Sequence, residues 1–159
     1  GRRIDLPYGL TFLLDYDGYW LGPEDAIPSP YPALDGEHHL AVPGVTDIPG
    51  WRVEASFVQG YEPQDVGGLT AYMDADIAGQ ELSVRAWKRG DRFIPLGLDS
   101  EKKLGEFMID QKVPRHWRKN IPVVASPERI VWLAGYRLDA GVRVTDKTRR
   151  TLRLEFKRL

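Results

Sequence analysis

Ten cationic side chains stand between Arg85 and Lys119: Arg85, Lys88, Arg89, Arg92, Lys102, Lys103, Lys112, Arg115, Arg118 and Lys119. Trp87, Phe93, Phe107 and Trp117 are interleaved among them. Cations hold phosphates and aromatic rings stack on bases, so this mixture fits the gripping of a nucleic-acid backbone better than the breaking of a bond. Other candidates for chemistry are weaker. His38 and His39 are adjacent, with Asp35 and Glu37 nearby, but neighbours on a strand point to opposite faces and do not readily share one ion. No metal site is expected. Asp74 and Asp76 would share a strand face, as a general acid–base pair does, although a solvated strand end accounts for them better. His116 is a lone histidine among cations. There is no Gly-x-Ser-x-Gly, no phosphate-binding loop and no dinucleotide fingerprint, so no catalytic centre is expected.

The charge is unevenly placed. Residues 1–84 hold three basic and fourteen acidic side chains, a net of −11, whereas residues 85–159 hold nineteen and nine, a net of +10. The formal total of −1 hides this division. An asymmetry of this kind predicts one half that faces a polyanion and one that does not. At 159 residues a single domain, spanning 1–159, is expected. Five Trp and a 42% hydrophobic content predict a folded globule. The absence of Cys excludes disulfides and thiolate zinc sites and fits a reducing compartment, hence an expected cytoplasmic location. No apolar run is long enough to cross a membrane as a helix, and no signal peptide is visible. The chain opens Gly-Arg-Arg-Ile without Met, the pattern expected of a piece of a longer protein.

The elements that must position the cations are mainly strands. Residues 4–6, 10–16, 19–21, 39–42, 51–58, 69–74 and 82–87 read as strands, with Pro7 to Gly9 and Ala78-Gly79-Gln80 as turns. Trp51, Val53, Ala55 and Phe57 alternate with Arg52, Glu54 and Ser56, the period of a half-buried strand. Residues 22–36 and 60–68 read as loops. Lys88 to Asp91 reads as a turn. A helix capped by Asp99 or Ser100 is expected to run to about Lys112, burying Leu104, Phe107, Met108 and Gln111. A second short helix is expected from Pro114 to Asn120, with Asn120 left-handed at its end. At least one of Lys102 and Lys103 must then face water, and Arg115, Arg118 and Lys119 share a face. Two helices with basic outer faces would track a double-stranded backbone. Strands are expected at 123–125, 130–133, 137–144 and 151–156, with Trp132 in the core and Trp87 and Trp117 more naturally core than stacking platforms. The fold class is α+β, a β-rich sandwich-like domain with one short helical pair.

The order and spacing of several motifs are more specific. Arg85, then Gly90-Asp91-Arg92-Phe93-Ile94-Pro95-Leu96-Gly97, Lys102-Lys103-Leu104, Phe107, Asp110 to Arg115, Arg118, Ile121 to Val124, Ile130 to Asp139, Val144-Thr145 and Thr148 together resemble the C-terminal domain of bacterial tRNA(Ile)-lysidine synthases. The resemblance covers about residues 82–159. Residues 4–21, with Leu6-Pro7-x-Gly9 and Tyr16, look like the strands that open the same domain. Residues 22–81 match no motif. Where this family often has Arg and Pro, the chain has Trp87 and Arg89.

The resemblance implies a β-rich sandwich with flanking helices, shared with a domain of the phenylalanyl-tRNA synthetase β subunit. It implies a parent ligase that joins lysine to C2 of the wobble cytidine in a tRNA(Ile) with a CAU anticodon. ATP and magnesium would serve an N-terminal PP-loop domain whose Ser-Gly-Gly-x-Asp-Ser signature is absent here; this piece needs no cofactor of its own. Its implied partners are tRNA, through the acceptor-stem region, and the N-terminal PP-loop domain; oligomers are compatible with it. Two other readings stay open: an editing-type hydrolase using Asp74, Asp76 or His38, and a protein–protein docking module working through the acidic half.

Overall fold

Alternating burial along two long strands builds one of two sheets that face one another. The computed structural model describes residues 2–15, 18–23, 29–59 and 68–159. The expected loop at 60–68 therefore lies almost wholly outside the described residues, as do residues 16–17 and 24–28. Strands β1 (Arg2–Asp5), β2 (Leu10–Asp15) and β3 (Gly18–Pro23) form an antiparallel meander of their own. A 3-10 turn, Pro7–Gly9, joins the first two.

Further along come β4 (His38–His39), β5 (Gly44–Ile48), β6 (Trp51–Val58), β7 (Thr70–Asp74), helix α1 (Ala75–Ala78) and β8 (Ser83–Arg85). β9 (Arg92–Phe93), β10 (Lys102–Lys103) and helix α2 (Leu104–Asp110) follow. A 3-10 helix, Arg115–Asn120, leads into β11 (Val123–Ala125), β12 (Ile130–Leu133) and β13 (Arg137–Leu138), and a last 3-10 turn, Ala140–Val142, precedes β14 (Thr151–Arg158). One sheet has the order β5-β6-β14-β7, the other β13-β12-β11-β8-β4, and all their pairings are antiparallel.

The core lies between these sheets. Trp51, Val53 and Ala55 of β6 and Leu152, Leu154 and Phe156 of β14 point inward, against Val84, Val124, Val131 and Trp132 of the five-stranded sheet. Phe156 packs edge-on to both Trp51 and Trp132, at 5.5 Å each. The charged residues between them on β6 and β14 point outward and are paired with one another or with β5. Lys157 meets Glu54 and Glu155, Arg153 meets Glu155, and Arg52 meets Asp47.

The five-stranded sheet is buried on its second face too. Val123, Ala125, Ile130 and Leu133 face away from the sandwich, toward Leu104, Phe107 and Met108 of α2 together with Phe93, Val113 and Ile121. A register shift between Val124 and Ala125 lets Val131 and Trp132 both serve the first core, as a bulge does. Burial on both faces is why β11 and β12 read as unbroken apolar runs. The architecture is a sandwich with a short helical layer on one side, the α+β class expected.

Several expected elements differ. Lys102 and Lys103 are not helical: they pair with Phe93 and Arg92 as a short hairpin, which delays α2 to Leu104. Lys103 then occupies the N-cap position with no side-chain cap, so neither Asp99 nor Ser100 caps the helix. Gln111 is exposed, one residue beyond α2. The left-handed residue is Lys112, at φ 58°, and not Asn120. Asn120 instead accepts the Leu34 N–H through its side-chain oxygen at 3.3 Å, tethering part of the proline-rich loop. That loop also places Tyr31 against Tyr136, where it touches both cores. Residues 137–144 are a two-residue strand and a 3-10 turn, because Asp139 accepts the Gly141 N–H and starts the turn. β5 was not expected from the sequence.

Candidate nucleic-acid interface

The turn at 88–91 is shaped by one carboxylate. Asp91 accepts the Lys88 N–H at 2.7 Å and both terminal nitrogens of Arg85, at 2.8 and 3.1 Å. Gly90, at φ 95°, lets the chain reverse. The Leu104 N–H then donates to the Asp91 carbonyl at 2.8 Å, fixing α2 to the turn. Arg85 and Asp91 are only 14% and 13% exposed. The Arg85 guanidinium is thus a fork-to-fork internal brace. Expected as a phosphate ligand, it is instead engaged within the fold, and the residues it displays are Lys88 and Arg89, both exposed.

The remaining predicted residues separate by their partners. Lys102 is paired with Asp110, and Arg92 with Glu101 at 3.3 Å. Arg118 donates from Nε to the Val113 carbonyl at 3.1 Å and is half-buried. Lys88, Arg89, Lys103, Lys112, Arg115 and Lys119 are exposed and make no ion pair among the described residues. α2 itself does not carry the basic face expected of it. Its outward side chains are Glu106, Ile109 and Asp110. The cations come from what flanks it: the 88–91 turn, the β9–β10 hairpin, the cap at Lys112 and the 3-10 helix.

Two of those positions carry a local cost. Lys103 lies directly opposite Arg92 in an antiparallel pair, where like charges repel. Lys112 holds a left-handed backbone that glycine would adopt more easily. Around it the chain forms a complete helix stop. The Lys112 N–H donates to the Ile109 carbonyl and the Val113 N–H to the Met108 carbonyl, both at 2.9 Å, while Val113 and Met108 meet in the second core.

The aromatics expected between the cations are packing groups. Trp87 lies against the second core, close enough to Gly105 that a Cβ there would sit 3.2 Å from its ring. Trp117 packs on the same core, and Phe93 and Phe107 are buried edge-to-face at 5.2 Å.

The acidic candidates are structural. Asp74 ends β7 and caps α1, accepting the Asp76 and Ile77 N–H groups, and its other oxygen accepts the Thr148 hydroxyl at 2.9 Å. Asp76 pairs with Arg150 at 3.6 Å. The His38 ring meets the Asp35 carbonyl at 2.6 Å. An open cleft of about 610 Å³ at the β4 edge gathers Glu37, His39, Glu81 and Ser83, but neither Asp74 nor Asp76 lines it. Among the described residues, no group of three or more His, Asp or Glu is placed to hold a metal ion. Asp91 and Asp110, two acids within the basic stretch able to pair locally, remove Arg85 and Lys102 from the exposed set. The spacing from Lys102 to Asp110 has no helical meaning until the hairpin is known.

Comparisons with known proteins bear on family and fold. Residues 82–155 match the model of the TilS substrate C-terminal domain. The whole chain aligns at 45% identity with a tRNA(Ile)-lysidine synthase of Dehalococcoides mccartyi, covering 34% of that protein. It aligns over 97% of its length, at 33% identity, with 33% of a tRNA(Ile)-lysidine synthase of Caldanaerobacter subterraneus subsp. tengcongensis. The chain thus spans about a third of the length of these curated relatives. A crystal structure of a TilS C-terminal domain superposes with a TM-score of 0.67 at 28% identity, over 78% of this chain and 97% of that one. A shared fold, shared motifs and an alignment along the whole chain converge: the chain belongs to the family of tRNA(Ile)-lysidine synthase C-terminal domains.

Proposed function

We propose that this domain holds tRNA(Ile) by its sugar-phosphate backbone while a remote PP-loop domain of the full-length protein carries out the lysine ligation. In this reading ATP and magnesium act in that other domain, and tRNA and that domain are this chain's partners in the cytoplasm, with the acceptor stem as the region contacted. The chain's own part is positioning. Side chains cannot enter the deep groove of A-form RNA, so a cationic surface that follows phosphates is the suitable device.

The observation that carries the reading is the contrast between layers. Arg52, Glu54, Arg153, Glu155 and Lys157 on the outer face of β6 and β14 are all ion-paired, whereas six exposed cations around α2 have no ion-pair partner among the described residues. Fluorescence titration of tRNA(Ile) across salt tests it. If all six touch phosphates, log K falls against log salt with a slope of roughly −5. The K88E/K103E/R115E/K119E variant loses at least ~100-fold in affinity, counting ~1 kcal/mol or more per contact. A flat salt response, or a variant that binds as well as the parent, rejects the proposal.

A further inference from the structure

The basic half carries a second cluster beyond Lys119. The 3-10 turn Ala140–Val142 has a guanidinium on either side of its first peptide. Arg143 donates to the Ala140 carbonyl at 2.6 Å. Arg129, from the turn joining β11 to β12, lies over Gly141, where a Cβ would fall 2.6 Å from its terminal nitrogen. Both side chains are exposed, and neither makes an ion pair among the described residues. Asp139, whose carboxylate also lies beside Gly141, is buried and already accepts the Ile94 and Gly141 N–H groups at 2.8 Å each. It fixes the turn and leaves the two guanidinium charges without a bonded counterion.

The turn is bound to the hairpin that carries the first cations. The Ala140 N–H donates to the Ile94 carbonyl at 2.7 Å, and Pro95 bridges to Asp139. Ile94 stands two residues past Arg92, about 7 Å along extended chain. Backbone contacts thus run from Lys103 and Arg92 through Ile94 to Ala140 and Arg143, and the Arg129 side chain reaches the same turn at Gly141.

We infer that Arg129 and Arg143 form a second phosphate-holding site, which extends the RNA track from the β9–β10 hairpin across the end of the five-stranded sheet. The inference rests on the proposed RNA-holding role and deepens it. It accounts for two like charges collected on one short turn, an arrangement that an RNA strand's phosphates would stabilise.

The test compares tRNA(Ile) binding by the parent chain, R129E/R143E, K88E/K103E/R115E/K119E and R52Q, each with its thermal midpoint measured. Arg52 lies on the outer face of the four-stranded sheet, paired with Asp47, and serves as a cation remote from the track. R129E/R143E is expected to weaken binding tenfold or more, to reduce the salt slope by about two, and to melt within a few degrees of the parent. R52Q is expected to bind like the parent. R129Q/R143Q should give an intermediate loss without introducing negative charge. If the parent binds and the α2-side variant loses affinity while R129E/R143E retains it, this inference fails and the broader reading stands. If the parent shows no salt-dependent binding, both fail. An equal loss in R52Q reveals a non-specific charge effect and overturns the second site.

Discussion

Lys112 shows how a single residue separates the demands of folding from those of binding. Its backbone is left-handed, at the position after a helix where glycine is favoured, and its hydrogen bonds complete the stop of α2. A Cβ-bearing residue there costs about 1 kcal/mol relative to glycine. A strained position that carries a charged and exposed side chain points to a use for the charge. K112G is therefore expected to raise the thermal midpoint by about 2–4 °C while weakening tRNA binding severalfold. Calorimetry and a binding titration on the same preparation measure both effects. Should stability and affinity rise together, Lys112 is a structural residue alone. Arg85 is the opposite case, a cation in the basic stretch whose two terminal nitrogens are held by Asp91. Sequence marks both simply as basic, and only the partner distinguishes them.

The outer face of the four-stranded sheet shows the same logic at the level of the element. Burial alone would raise the Glu155 carboxyl, but Arg153, the Thr70 hydroxyl and Lys157 together hold it below its ordinary value. A carboxylate lowered on folding stabilises the fold fully above its unfolded pKa, and the contribution is lost as pH falls through the folded one. The melting temperature should therefore decline below about pH 4.5, the ordinary Glu value. E155Q should remove part of that decline and cost the protein a few degrees at pH 7, since such networks contribute below about 1 kcal/mol. Melting curves from pH 3 to 7 decide it; an unchanged acid limb in E155Q excludes the network as a source of pH dependence. These strands were legible from sequence, because period-two alternation at Trp51 to Phe57 and Leu152 to Phe156 encodes burial directly. β11 and β12 were legible as apolar runs. The start of α2 was not: Lys102-Lys103 has no intrinsic strand signal and is held extended by pairing with Phe93 and Arg92. β5 escaped because Gly44-Val-Thr-Asp-Ile is short, and its pairing with β6 supplies what its composition lacks. Of the candidate interface, its location and sign were readable from sequence. Which cations are neutralised was not, since Arg85, Arg92 and Lys102 meet their acids through a turn, a hairpin and a helix.

At the scale of the whole molecule, two cores share one sheet, and among the described residues the N-terminal meander contributes to neither. Ile4 and Phe12 lie abreast of Leu21, and Leu14 abreast of Tyr19, so alternate rows place these apolar side chains on one face. Ile4, Leu14, Tyr19 and Leu21 are all more than 40% exposed, a density of apolar surface uncommon on an isolated soluble sheet. The sandwich, by contrast, is closed by β14, which pairs along its length with β6 and over five residues with β7. Stability should therefore reside in residues 29–159. Removing residues 1–28 is expected to leave the melting temperature within about 3 °C, since among the described residues none of those removed belongs to either core. It should also leave the near-ultraviolet signal of Trp51 and Trp132 unchanged, because both rings are held by Phe156. The six exposed cations around α2 all lie in the retained part, so tRNA affinity should persist within about twofold, while binding of an apolar dye should fall as the meander's face is removed. A collapse of the melting transition on truncation would show that the meander is part of the cooperative unit. Lost affinity with an intact transition would place an RNA contact among residues 1–28, in the acidic half of the chain, where electrostatics alone predicts none.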